Sequence, residues 1–436
     1  MKPGARPGRH TRSPLGLVAI GAMLLSLVGC SRATATAGIS PSAISVDPTA
    51  TPTASISTPP SPSPSQTPGP LEHLSPAPSG PWTAFEWIPA PLENAPVASA
   101  GGVMDVYGWS RGYVAVDHPN LLWDPSDAIT PWVSVDGLHW EQGASIHTSE
   151  LPMPATSFGG LVEGPAGLLA YAIGGGGCGG FAGTVVEMWL STDGLSWQRV
   201  DGAATESFTQ VWAGSVGYIA TSLVGVLNGE IWTSANGRTW HRANLGAVPS
   251  GTHFQGAAVS SNGFVAVGAT PIAATCAHDS TDTEKPALWS SRDGIAWVRD
   301  DLPGASPAPS LAMSAWRIGE GALLATCQRS DGSGNVSSQS WTSTDGRTWT
   351  PVDPAWAVAG IDAVETVGNR SILFGGQGSS YVLDAQLRLI PVAERGAVQQ
   401  PTYRDAGSGW RFALGPAGWV AISSTGNVWI GVPAYN

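Results

Sequence analysis

The densest group of side chains able to do chemistry lies between Thr270 and Pro286. Cys276, His278, Asp279, Asp282, Glu284 and Lys285 fall together there, in a chain with only 12% charged residues. Carboxylates beside a histidine could hold a cation, and the same groups could hydrogen-bond a sugar. They also read as the ordinary charges of a solvated loop. Between Asp117 and Pro131, Trp123 precedes Asp124 and Asp127. That combination suits stacking and hydrogen bonding to a carbohydrate, although Trp123 reads equally well as core. Arg329 and Asp331, between Gln328 and Gln339, form a third charged group. No CxxC spacing accompanies the cysteines, so neither a metal nor a cofactor is expected. The GGGGCGG run at Gly174 to Gly180 lacks the Lys-Ser/Thr that a phosphate loop needs.

These segments interrupt a repeat, and the repeat must position them. A phrase of Trp, Ser, Asp-Gly and Trp occurs as WVSVDGLHW (Trp132 to Trp140), WLSTDGLSW (Trp189 to Trp197), WTSANGRTW (Trp232 to Trp240), WSSRDGIAW (Trp289 to Trp297) and WTSTDGRTW (Trp341 to Trp349). Each copy reads as a β-hairpin with a tight corner, because Gly takes positive φ at no steric cost and Asp or Asn tolerates it better than most residues. The Ser hydroxyl and the Asp or Asn oxygen are placed to accept backbone N–H groups within the turn. Asp136, Asp193, Asn236, Asp293 and Asp345 are therefore read as structural, not catalytic.

Upstream of each hairpin stands an apolar strand, led by Gly112, Gly167, Gly217, Gly263, Gly321, Gly368 and Gly418, about 51 residues apart on average. That interval suits four short strands per unit. The sixth hairpin survives as YVLDAQLRLIPV, Tyr381 to Val392, without its Asp-Gly corner. The seventh is split: VWIGV at Val428 to Val432 has no following strand, whereas Phe85 to Pro89 (FEWIP) aligns with Arg347 to Pro351 (RTWTP). An N-terminal strand that completes the last sheet would close a ring and remove its free edges. The expectation is an all-β fold, a seven-bladed propeller over residues 82–436, with six or eight blades as the alternatives. Cys178, Cys276 and Cys327 then fall on or near the face of uneven loops. Cys276 with Cys327 is the preferred disulfide, because their blades are neighbours, and Cys178 with Cys276 is the alternative.

The hairpin phrase resembles the Asp-box (BNR) repeat of sialidase-type β-propellers, Ser-x-Asp-x-Gly-x-x-Trp, with one residue fewer between Asp and Gly. The resemblance implies a corner between the third and fourth strands of each blade, remote from any active site. It also implies the rival reading, a sialidase-like glycoside hydrolase, which would need an arginine triad, a Tyr with a Glu partner, and an Asp. Arg238, Arg292 and Arg347 stand in the corners, on the wrong face. Tyr403-Arg404-Asp405 is the compact group of suitable types.

Residues 1–29 read as a secretory signal, with a basic start and an apolar run from Leu15 to Val28. Leu27-Val28-Gly29-Cys30 resembles the lipobox of bacterial lipoproteins, which implies a lipid on Cys30. Residues 30–80 are dominated by Ser, Thr, Pro and Ala and cannot bury a core, so they are expected to form a disordered tether. At roughly 3.1 Å per residue such a tether spans on the order of 100 Å. Removal of Lys2, Arg6, Arg9 and Arg12 with the signal leaves 16 basic and 32 acidic residues, a net charge of -16 against -12 for the whole chain. That balance argues against a nucleic-acid partner, since phosphate binding needs a basic face. The expectation is a monomeric module, anchored to the outer face of a bacterial cell membrane, that binds a protein, a glycan or an envelope component without catalysing a reaction.

Overall fold

The computed structural model describes residues 82–90, 95–99, 102–119, 128–147, 155–174, 184–200, 208–224, 228–246, 248–249, 251–272, 283–319, 321–330, 336–352, 361–375, 379–384, 387–396, 410–423 and 426–433. These residues form seven sheets, six of them antiparallel and running outward in chain order. Blade 1 comprises Gly102–Trp109, Gly112–Pro119, Ala128–Ser134 and Glu141–Gln142. Blade 2 comprises Ala155–Gly164, Gly167–Gly174, Thr184–Ser191 and Gln198–Arg199. Blades 3 to 6 repeat the pattern, beginning at Phe208, His253, Ser310 and Ile361. Blade 7 contributes Trp410–Gly415, Gly418–Ser423 and Val428–Pro433, and its fourth strand is Ala84–Pro89. The pairing runs from Phe85 opposite Pro433 to Pro89 opposite Trp429, so the N-terminal strand closes the ring as the repeat predicted.

The energetic reason for a ring is visible in where the apolar side chains go. The second strand of blade 1 is buried on both faces from Gly112 to His118, because a neighbouring blade covers each side. Seven clusters of buried side chains result, one at each junction between adjacent blades. The two Trp rings of a hairpin phrase enter the same cluster: Trp341 and Trp349, for example, join the blade 4 and 5 junction. The junction of blades 5 and 6 has the smallest set of buried residues, Ile318, Leu324, Ile361 and Leu373.

The corners of blades 1 to 5 are built alike. In blade 1 the Ser134 hydroxyl donates to Asp136 Oδ1 (3.0 Å) and accepts from Gly137 N (2.7 Å). Leu138 N and His139 N donate to the same Asp oxygen, and Trp140 Nε1 donates to Gly137 O (2.9 Å). Gly137 has φ 78°, and an added Cβ would lie 2.5 Å from Val420 of blade 7. The corner glycine is thus required by its conformation and by its neighbour. The turn joining a blade's first two strands reaches the next blade's corner: Arg111 Nη1 donates to Thr192 O (2.9 Å) and Asn262 Nδ2 to Thr344 O (2.6 Å). These turns and corners therefore share one face.

Two features lie outside the expected plan. Ala393–Gly396, from the link between blades 6 and 7, runs parallel to the N-terminal strand (Ala84 opposite Ala393, Trp87 opposite Gly396) and adds a fifth strand to the last sheet. In blade 1, Ile146–His147 pairs with Ala128 and Ile129.

Candidate functional site

Only part of the loop-borne chemistry falls on described residues. Cys30, Trp123, Asp124, Asp127, Cys178, Cys276, His278, Asp279, Asp282, Asp331 and the Tyr403-Arg404-Asp405 group lie outside them. Glu284 and Lys285 open the third strand of blade 4, Glu284–Ser291. Lys285 Nζ lies 3.2 Å from Asp301 Oδ1, and Glu284 Oε1 lies 3.7 Å from His253 Nε2. Arg329 is the penultimate residue of the second strand of blade 5, Ala322–Ser330, and donates through Nη2 to Ser337 Oγ (3.2 Å). The expected partner of Cys327, Cys276, lies outside the described residues, and Cys327 itself is buried. It is a free thiol packed in the blade 4 and 5 core, and burial pushes its pKa up to about 12 against the opposing charge of Arg329.

The structure assembles another constellation at the centre of the ring, on the innermost strands. Asp105, in the first strand of blade 1, and Arg411, in the first strand of blade 7, occupy the same register, four residues before the end of each ladder. Arg411 Nε donates to Asp105 Oδ1 at 2.8 Å, and His118 Nε2 lies 3.0 Å from Asp105 Oδ2. The other ring nitrogen of His118 lies 2.9 Å from Pro119 O, and Phe158 of blade 2 covers the ring at 5.1 Å. Burial works to raise the Asp105 pKa, but the hydrogen bonds from His118 and Arg411 outweigh it, and the carboxyl stays below its ordinary value.

One register further along stand Tyr107 of blade 1 and Glu365 of blade 6, each two residues before the end of its ladder. Burial lifts the Tyr107 pKa well above its ordinary value, the charge of Asp105 adds to this, and Glu365 contributes in the same direction while Arg411 opposes. Burial alone raises the Glu365 carboxyl to about 7. The wall thus combines the Asp105–Arg411 ion pair, with His118 on the same carboxylate, with a protonated phenol and a carboxyl poised between its two forms near neutral pH. Among the described residues, Arg317 and Arg411 are the arginines on the seven innermost strands. No group of described residues has the makings of a metal site.

Two concavities stand out among the described residues. A cavity of about 300 Å³ lies on the corner-bearing face, lined by Ile318, Arg370, Val382, Leu383, Leu387 and Trp82. It sits at the corner of blade 6, whose hairpin lacks both Trp residues. A second, of about 250 Å³, lies on the rim between blades 1 and 2.

No known family profile matches the chain, and no curated protein does. Among solved structures it is similar to YCF48 bound to D1 peptide, at 14% identity, covering 82% of this chain and 99% of that one with a TM-score of 0.41. It is also similar to virginiamycin B lyase from Staphylococcus aureus, at 10% identity over 80% and 99% of the two chains, TM-score 0.46. A protein of unknown function from Dyadobacter fermentans has 13% identity over 78% and 96%, TM-score 0.38. At these identities the likeness concerns the fold.

Proposed function

We propose that the chain is an exported, lipid-anchored binding module whose propeller takes a protein, glycan or envelope component at the channel wall formed by blades 1, 6 and 7. The observation that carries this reading is the state of the channel groups. Asp105 is already engaged on both oxygens by His118 and Arg411. Tyr107 keeps its proton. Such a wall presents fixed hydrogen-bonding groups to a ligand and no activated nucleophile.

Crosslinking on intact cells, with the wild-type chain compared against Arg411→Ala, tests it. A partner or glycan retained by the wild type and lost from the variant supports the channel. Capture that is identical for both, or no capture by either, overturns it. The anchor has its own test: Cys30→Ser should abolish metabolic labelling with an alkynyl fatty acid and release the protein from membranes.

The hydrolase reading draws on one observation, that Tyr107 and Glu365 interact electrostatically beside Asp105 and Arg411. Against it, a tyrosine nucleophile has to lose its proton, and burial together with two carboxyl groups works against that loss. Turnover of fluorogenic sialosides, lost in Tyr107→Phe, would establish hydrolysis in place of binding alone.

A further inference from the structure

The rim cavity between blades 1 and 2 differs from its counterparts elsewhere in the repeat. Its wall on the blade 1 side is the segment that leaves the outer strand, where Gly143 N donates to Pro131 O and Ala144 N to Leu195 O of the next corner, both at 2.9 Å. Its wall on the blade 2 side carries Glu187, Trp189, Trp197 and Arg199, with Ser145 and His147 facing them across the gap. Trp189 pairs in register with Arg199, and Glu187 stands two residues before that Trp.

The same register exists in blades 3 and 4, so the chain supplies its own comparison. In blade 3, Trp232 pairs with Arg242, and Glu230 stands two residues before. There both carboxylate oxygens are occupied: Arg242 Nη2 engages Oε1, and Trp232 Nε1 donates to Oε2 at 3.2 Å. In blade 4 the position is Ala287, and Arg299 lies over the Trp289 ring at 5.6 Å. Blade 2 alone of these three has the carboxylate and leaves half of it unused. Arg199 Nε takes Glu187 Oε1 at 2.8 Å, while Oε2 has no hydrogen-bond partner among the described residues. The Glu187 side chain is only 3% exposed, and a buried acceptor without a partner requires an explanation.

We propose that this cavity binds a neutral sugar ring through a vicinal diol, with Glu187 accepting from one hydroxyl, Arg199 donating to its neighbour, and Trp197 packing against the apolar ring face. The pair carries no net charge, so it does not select an ion. It does present an acceptor beside the remaining donors of a half-exposed guanidinium. Two adjacent hydroxyls complement that arrangement, each able to donate and to accept. Trp197 is half-buried and supplies the apolar surface. A volume of about 250 Å³ is below the roughly 300–1,000 Å³ of pockets for drug-sized ligands and limits the site to about one ring. The site is separate from the channel and does not depend on the function proposed for it.

Oxidative footprinting of the full chain, read by mass spectrometry at Trp197 and titrated with methyl glucosides, galactosides and mannosides, tests the proposal. At least one sugar should protect Trp197 saturably. Glu187→Ala and Arg199→Gln should each weaken that protection about tenfold to a hundredfold, the effect of losing a hydrogen bond to a charged group. Glu230→Gln, at the equivalent site of blade 3, should leave it unchanged. If a variant fails to fold, the wild-type titration decides alone. No protection of Trp197 by any of the sugars up to millimolar concentration, or protection equally strong in the blade 2 variants, overturns the assignment.

Discussion

Replacing Glu365 with Gln should stabilise the propeller, and the size of the gain should depend on pH. The folded chain holds the Glu365 proton up to about pH 7, whereas an ordinary glutamate releases it near 4.5. Between those values the folded state binds more protons than the unfolded one, so stability falls as pH rises through the window. Below 4.5 both states are protonated and the carboxyl costs nothing. Above about 8 the whole cost is present. At about 1.4 kcal/mol for each tenfold change in proton affinity, the rise corresponds to about 3 kcal/mol, an upper figure because Glu365 keeps some contact with water. Gln matches the shape of the protonated acid and cannot ionise. For a propeller of this length, about 3 kcal/mol moves a melting midpoint by roughly 4 °C. Differential scanning calorimetry at pH 4.5 and pH 8 measures it. Glu365→Gln should melt higher than wild type at pH 8 and close to it at pH 4.5. An equal difference at both pH values, or a lower midpoint at pH 8, would refute the claim that a buried, ionising carboxyl sits in the channel.

Trp87→Ala should cost about 3–5 kcal/mol, the range for deleting a buried aromatic, because this 5% exposed ring packs edge-on against Phe412 in the closing blade. A thermal melt reads the change, and an unaltered midpoint would mean that the N-terminal strand does not hold the ring shut. Cys327 should resist alkylation at pH 8 in the native protein and react once denatured, since burial raises its pKa to about 12. Mass spectrometry of the Cys327 peptide detects native labelling, which would contradict its place in the core.

The periodic part of the fold was legible because it is local. Gly at the corner, Trp on either side and an apolar strand 51 residues on from the last are all short-range signals. Even the split blade showed itself, since Trp87 and Trp349 stand in the same sequence context. The channel group was not legible. Asp105 and Arg411 meet across 306 positions, and neither carries a motif of its own. Their signal is a register: both fall on a channel-facing position of a first strand, and only counting from the end of each ladder reveals it. Cys327, by contrast, has a local signal. Leu323, Ala325 and Cys327 alternate along one strand and all enter the same core, so parity within that strand already pointed the thiol inward. The fifth strand, Ala393–Gly396, reads AERG and has neither apolar alternation nor a turn signal. Nothing in its residues distinguishes it from a link.

Pairing Phe85 with Pro433 has a consequence for biosynthesis. Of the described strands, the first to be made is the partner of the last, so during synthesis six blades can assemble while the seventh lacks its third strand. Until Val428–Pro433 emerges, the nascent chain is an open arc with an unsatisfied edge at either end, the kind of intermediate that slow, long-range β pairing exposes to aggregation. A propeller closed in this way reaches its final form only once its last blade has been made.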